Sequence, residues 1–231
     1  MKRLLPFILL LSLLPFALYS QETPVSYRYK GGTLAFLKYL AQNTNYPSAS
    51  RENLSYGFSI SRLVLAPTGE IKDLSIVSPL DRYLDQEVLR VVGSTDGSWL
   101  SSDSIKHDQV IFIQMDFIFF GIAAHYCQSK VPAFKSLYTE PVIINTSLQG
   151  RLPESDNALV KKYHTLLSEG KSKKALDAIS ELIKRDPFIK DFYKARADIL
   201  RSSGKIPEAE ADENRIKDFG GGIPLDSQGC E

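Results

Sequence analysis

The segment LLSEGKSKKA, residues 166–175, is followed by LRSSGKIPEA, residues 200–209, so a Gly-Lys pair and an alanine recur 34 residues apart. Gly170 and Gly204 suit turns between helices, because glycine adopts left-handed backbone conformations without strain. Asp186-Pro187 closes the first unit, since proline cannot continue a helix. The interval therefore predicts two helical hairpins near the end of the chain.

Four helices are expected here, at residues 155–169, 172–185, 189–203 and 206–219. This pattern resembles the tetratricopeptide repeat, a helix–turn–helix unit used for protein contact. In that resemblance, Ala175 and Ala209 are the small residues where paired helices approach. Glu213 stands at a position that is usually apolar, so the last helix is expected to be a solvated cap. Two repeats are fewer than the three usually needed for stability, and they should lean on the first domain or on a partner.

The first twenty residues have the pattern of a secretory signal peptide. Lys2 and Arg3 precede an apolar run of sixteen residues, 4–19, which is followed by the small residue Ser20. Cleavage before Gln21 fits this pattern. A membrane-spanning helix usually needs about 20 apolar residues, so an uncleaved inner-membrane anchor is the alternative. The sequence therefore predicts a periplasmic protein.

Composition bounds the class of protein. The chain of 231 residues carries 28 basic and 27 acidic side chains, and 43% of its residues are hydrophobic. Because the positive and negative charges nearly cancel, the protein has no long-range electrostatic field that would attract nucleic acid. The hydrophobic content is typical of ordinary globular cores rather than of disorder.

Residues 27–120 are expected to form a first domain. The pattern predicts a helix that begins near Thr33, strands at 56–65 and 71–77, a helix at 79–92 and a long strand at 110–120. The apolar residues assigned to the core face of the first helix are Leu34, Leu37, Leu40 and Ala41. Those assigned to the second helix are Leu84, Val88, Val91 and Val92.

The order helix, hairpin, helix and long strand resembles the TonB C-terminal domain family over residues 28–119. The matching residues are Gly31-Gly32, Leu37, Tyr46-Pro47, Glu52, Gly57-Phe58, Val64, Gly69, Ile71, Asp73-Leu74, Leu84-Asp85, Glu87, Leu89, Val92 and Trp99. The resemblance implies an α+β fold with two helices and a three-stranded antiparallel sheet, in which an exposed sheet edge binds partners. The complete prediction is this domain followed by an all-α tetratricopeptide-like helical pair at 154–219.

Two stretches remain beside these units. Residues 121–153 are interpreted as a packed connector, in which 141–144 could add a short edge strand, and residues 220–231 as a flexible tail. The two cysteines, Cys127 and Cys230, lie in these stretches. An exported protein permits a disulfide between them; the alternative is two unpaired thiols.

Little in the sequence indicates catalysis. His107, His125 and His164 are scattered without metal-ligand spacing, and no nucleophile motif is present, so we predict no catalytic residues, no metal and no cofactor. Asp81, Asp85 and Glu87 are interpreted as the solvated side of a helix. A hydrolase site assembled only in three dimensions is the remaining catalytic hypothesis.

Two surfaces are predicted to bind partners. The first is the free edge of the long strand, with Val110, Phe112, Gln114 and Asp116; the alternative is that residues 141–145 cover this edge. The second is the groove of the helical pair, with Tyr163, Tyr193 and Arg196 as lining residues. For these aromatic residues the alternative is a place in the core.

The sequence thus favours an exported, non-catalytic interaction protein, a periplasmic adaptor or scaffold of a Gram-negative bacterium. Its partner would be a protein or extended peptide of the cell envelope, with an outer-membrane transport component and a second copy of the chain among the options. The alternative is an energy transducer anchored by an uncleaved N-terminus. Only residues 21–29 separate the apolar run from the fold, about 30 Å when extended, which is short for crossing a periplasm.

Overall fold

The computed structural model describes residues 24–120, 142–147 and 153–218. The predicted signal peptide, most of the connector, the tail and both cysteines lie outside these ranges. The cleavage site and the Cys127–Cys230 pairing therefore stay predictions.

Eight helices and four strands make up the described part of the chain. The helices are α1 (Pro24–Arg28), α2 (Gly32–Asn43), α3 (Ser48–Glu52), α4 (Arg82–Gly93), α5 (Asp156–Ser168), α6 (Ser172–Arg185), α7 (Lys190–Ser202) and α8 (Ile206–Asp218). The strands are β1 (Gly57–Leu65), β2 (Ile71–Ser78), β3 (Gln109–Phe119) and β4 (Val142–Thr146). The expected elements all form; α1 and α3 are short helices that the sequence pattern did not predict.

The four strands form one mixed sheet in the order β2-β1-β3-β4. β1 pairs antiparallel with β2 and with β3, whereas β4 runs parallel to β3. The α+β class is thus confirmed, but the expected three-stranded antiparallel sheet is wrong. Val142, Ile144 and Thr146 alternate with exposed residues, a period that suits a strand with one buried face, so this segment adds a fourth strand.

Helices α2 and α4 cover one face of the sheet. The four predicted core residues of α4 are fully buried there, as expected. For α2 the predicted face is partly wrong: Leu34 is 79% exposed and Ala41 is exposed, while Phe36 is fully buried. Phe36 is drawn inwards because its ring packs against Trp99 at 5.2 Å, a contact between residues far apart in the sequence.

A buried arginine fixes α1 to the rest of this layer. The Arg28 Nε donates to the Leu100 carbonyl at 2.7 Å, and one terminal nitrogen donates to the Ala66 carbonyl at 2.7 Å. Its other terminal nitrogen donates to the Gln109 side chain. Burial lowers the pKa of Arg28. These bonds join α1, the β1–β2 turn and the start of β3, so a single side chain organises this end of the sheet.

The helical pair covers the opposite face of the sheet. Phe58 and Ile60 of β1 are buried in the same cluster as core residues of α5, α6 and α7, including Ile179, Leu182 and Phe192. The expectation that two repeats would lean on the first domain is confirmed by this shared core. The sheet is therefore the middle of three layers.

The repeat positions behave as their spacing predicts. Ala175 and Ala209 are fully buried, and Gly170 and Gly204 have φ angles of 69° and 76° at the turns between helices. Helix α8 is mostly exposed, with Ala209 and Asp212 as its buried residues, so it has the character of the expected solvated cap.

The helical layer approaches the sheet closely at Gly57, the first residue of β1. Gly57 has a φ angle of 126°, and a Cβ placed there would lie 2.5 Å from the Lys184 carbonyl oxygen at the end of α6. A side chain at this position would be strained and would also push α6 away from the sheet.

We predict that Gly57→Ala lowers the free energy of unfolding by about 2–3 kcal/mol or more, because backbone strain is added to the clash with α6. Gly97→Ala is the matched control: its φ of 73° is also unfavourable for alanine, but a Cβ there meets no atom within 4 Å. Urea denaturation of both variants measures the difference. Equal losses would contradict a close contact at Gly57.

Candidate functional site

A groove of about 460 Å³ opens where the sheet meets the helical layer. The end of β2 and the residue after it form one wall, and helices α6, α7 and α8 form the others. The apolar part of this lining consists of Val77, Pro79, Leu176, Ile183, Leu200 and Ala211. We call this space the interlayer groove. Its volume lies in the range typical of binding sites in proteins, about 300–1,000 Å³.

A partly buried ion pair belongs to the polar part of the lining. The Arg196 Nε donates to Asp212 Oδ2 at 2.8 Å, and a second nitrogen of the guanidinium donates to Oδ1 at 2.5 Å. This bidentate geometry joins α7 to α8. The Arg196 guanidinium also lies 5.7 Å from the centre of the Tyr193 ring. The charge of Arg196 is therefore largely matched within the protein.

Tyr193 lies between the helical layer and the sheet. Its side chain is 3% exposed and belongs to the core cluster that includes Phe58 and Ile60 of β1. It lines the interlayer groove together with Ser78 at the end of β2. Burial raises the pKa of Tyr193, so the phenol stays neutral.

Two further cations lie at the groove. Lys184 belongs to the last turn of α6, Arg215 lies near the end of α8, and both are half-buried. Arg215 is close enough to Tyr193 to oppose the rise in its pKa. Glu208, in the first turn of α8, is the acidic residue of the lining that is exposed. Because Asp212 is paired with Arg196, the remaining charges of the lining are those of Lys184, Arg215 and Glu208, and two of these three are positive.

The residues predicted for the helical groove separate in the structure. Tyr193 and Arg196 both line the interlayer groove. Tyr163 is 8% exposed and belongs to the core between the helices and the sheet, so for this residue the alternative of a core position is correct. Helical spacing alone predicts the same environment for all three residues, because the sheet that covers Tyr163 is formed by residues distant in the sequence.

The predicted free edge of β3 is covered in part. Residues Met115–Phe119 pair with β4, so for Asp116 the alternative of a covered edge is correct. Among the described residues, no strand pairs with Gln109–Gln114 on that side of β3. Gln114 and Asp116 are 1% and 4% exposed, and Phe112 packs against the helical core. Val110 is half-buried at the other end of the strand. The polar side chains that suggested a surface are buried beneath the helical layer.

The outer edge of the sheet at the other end is formed by β2. Lys72 and Asp73 are exposed on this strand, and their ion pairs are with Asp108 and Arg62. The register of β1 and β2 shifts between Ile60 and Ser61 and again between Val64 and Leu65. Charged residues and bulges are the usual protection of edge strands against pairing. This edge is therefore less suited to a partner strand than the groove is to a partner segment.

The acidic residues of α4 have structural roles that the solvated interpretation missed. Asp81 caps the helix by accepting from the Leu84 amide at 3.1 Å, and it accepts from Ser50 Oγ at 2.8 Å. Asp85 accepts from Ser59 Oγ at 2.7 Å, and burial raises its pKa. Glu87 accepts from Arg90 and from the Asn45 amide. These carboxylates hold the helix to its neighbours.

Within the described ranges, no cluster of His, Cys, Asp and Glu side chains has a geometry that could hold a metal ion. In the same ranges, no helix combines the length and apolar character needed to cross a membrane. Comparison with protein-family models, with curated proteins and with solved structures finds no match to this chain. The two family resemblances therefore rest on the sequence pattern alone.

Sequence reasoning missed the sheet side of the groove and Arg215. Val77, Ser78 and Pro79 end a strand more than a hundred residues before α7, and nothing in their local pattern indicates a helical neighbour. Arg215 follows Asp212 and Glu208 at helical spacing on one side of α8. This spacing was a usable signal for a shared surface, because it places the three residues on one face of α8. In the structure, Asp212 on this face pairs with Arg196.

We predict that Arg196→Ala lowers the free energy of unfolding by about 2–3 kcal/mol, because it leaves the carboxylate of Asp212 buried and unpaired. Arg201→Ala is the control on the same helix. Arg201 pairs with Glu213 of α8 at 2.6 Å, but both side chains are exposed, so stability should stay nearly unchanged. Denaturation curves of the two variants test this difference, and similar losses would contradict it.

Proposed function

We propose that this protein is an exported, non-catalytic interaction module, a periplasmic adaptor or scaffold that binds a segment of a partner protein in the interlayer groove. The observation that carries the proposal is the groove itself, an open space with mostly apolar walls between the sheet and the helical layer. Helical repeats and sheets both serve other proteins as surfaces for extended peptides.

The lining of the groove supports a peptide as the partner. Leu176, Ile183 and Leu200 offer contact to apolar side chains, while Lys184 and Arg215 add polar groups to the lining. Pockets that combine apolar walls with a few polar groups gain affinity from burial and orientation from hydrogen bonds. A volume of about 460 Å³ has room for a few side chains rather than for a folded domain.

The resemblances of the sequence give the proposal its setting. The signal pattern of residues 1–20 supports export, and the TonB-like and tetratricopeptide-like patterns both belong to modules that contact proteins. Under this proposal the sheet supports the groove rather than offering the edge of β3. The partner is a protein or extended peptide of the cell envelope.

Reversing one charge tests the groove as the binding surface. Arg215→Glu changes a residue of the lining, and Lys217→Glu makes the same charge change on the exposed side of the same helix. Each tagged variant is produced in the native host, crosslinked in cells and recovered from the envelope fraction. We expect Arg215→Glu to reduce recovery of the principal partner about tenfold, equivalent to about 1.4 kcal/mol of binding free energy, and Lys217→Glu to leave it unchanged.

Circular dichroism and thermal melting of both purified variants show whether each is folded. Equal recovery with folded Arg215→Glu and wild-type protein would rule out the interlayer groove. Equal reduction by both variants would indicate a general effect of charge instead of a contact in the groove.

A further inference from the structure

A buried carboxylate lies at the boundary between the sheet and the helical layer. Asp116 is on the face of β3 that the helices cover, and it is 4% exposed. Its partners in the sheet register are Phe58 of β1 and Ile143 of β4, neither of which offers a polar side chain. A carboxylate in such surroundings is costly when it is charged.

A second carboxylate faces the same region from the helical layer. Asp186 follows the last residue of α6, and its Oδ1 accepts from the Phe188 amide at 3.0 Å. The ring of Phe188 packs against that of Phe58 at 5.8 Å, and Phe58 is the register partner of Asp116. One acidic residue from each layer is thus placed at the boundary.

In the part of the chain that the structure describes, the basic residues next to this boundary have other partners. Arg185 donates to Asp156 at 2.9 Å and to Glu181 at 3.1 Å, and its guanidinium lies 4.5 Å from the Tyr56 ring centre. Lys184 is half-buried and lies 4.0 Å from Glu181. On the α2 side, burial raises the pKa of the Tyr46 phenol well above neutrality, and the negative charge of Asp116 adds to this rise. Tyr46 therefore stays neutral and supplies no compensating charge.

We propose that protonation of Asp116 controls how tightly the helical layer docks on the sheet. Phe58, the register partner of Asp116, is buried in the same cluster as core residues of α6 and α7. A charge on Asp116 therefore arises at the surface where the two layers meet. The docking step can be measured without a partner.

The direction of the effect follows from linkage. Burial, and secondly the charge of Asp186, raise the pKa of Asp116 to about 7 from an ordinary value of 3.8. The docked state therefore holds the proton more tightly than the undocked state. Docking is strongest below pH 4, weakens as the pH rises from 4 to 7, and is constant above pH 7.

Hydrogen exchange measured by mass spectrometry tests this inference on the full chain. Protection of α6 and α7 in the wild type, corrected for the intrinsic rate, should fall about tenfold per pH unit between pH 5 and pH 7. Asp116→Asn should abolish this dependence. Asp73→Asn, on an exposed residue of the same sheet, is the matched control and should keep the wild-type slope.

A wild-type slope near zero, or an equal slope in Asp116→Asn, would overturn the inference. If Asp116→Asn does not fold, Asp186→Asn takes its place: removal of the neighbouring charge should move the end of the sloping range to lower pH, and an unchanged range would overturn the inference. Because exchange requires no partner, these outcomes are independent of the charge-reversal test of the groove.

Discussion

Burial of both faces of β1 is the constraint on which the rest of the structure depends. Eight of its nine residues are buried, and Phe58 and Ile60 face away from α2 and α4. Full burial of each such side chain contributes about 1.5–3 kcal/mol. A sheet with this pattern needs a second layer, and the helical pair, too short to be stable by itself, supplies that layer. Each unit thus provides the surface that the other lacks.

The boundary between these layers produces both features with functional interest. The interlayer groove lies between the end of β2 and helices α6, α7 and α8. The same covering buries Asp116 and Gln114, polar residues that would be ordinary on an open sheet. The close approach at Gly57 brings the end of α6 against the first residue of β1.

Local patterns predicted what depends on neighbours in the sequence. The core face of α4 was readable because Leu84, Val88 and Val91 repeat at helical spacing and the helix lies flat on the sheet. The turns at Gly170 and Gly204 were readable because each requires a left-handed backbone. In α2 the same reasoning misplaced Leu34, since the position of the helix is set by Phe36 and its distant contact with Trp99. The spacing of apolar residues along α2 does not show which of two adjacent helix faces will be covered by a residue distant in the sequence, such as Trp99.

The sequence by itself determined the α+β class, the two helical hairpins and the strands β1, β2 and β3. These features depend on backbone propensity, periodicity and turn residues, which act over a few neighbouring positions. The tertiary structure alone decided that β4 covers the Met115–Phe119 part of the edge of β3, that Tyr163 is a core residue while Tyr193 lines a groove, and that Asp116 is buried. These outcomes depend on contacts between segments far apart in the chain. Such contacts are stabilised by the total surface area that the layers bury against each other. This area cannot be predicted from any short stretch of the sequence.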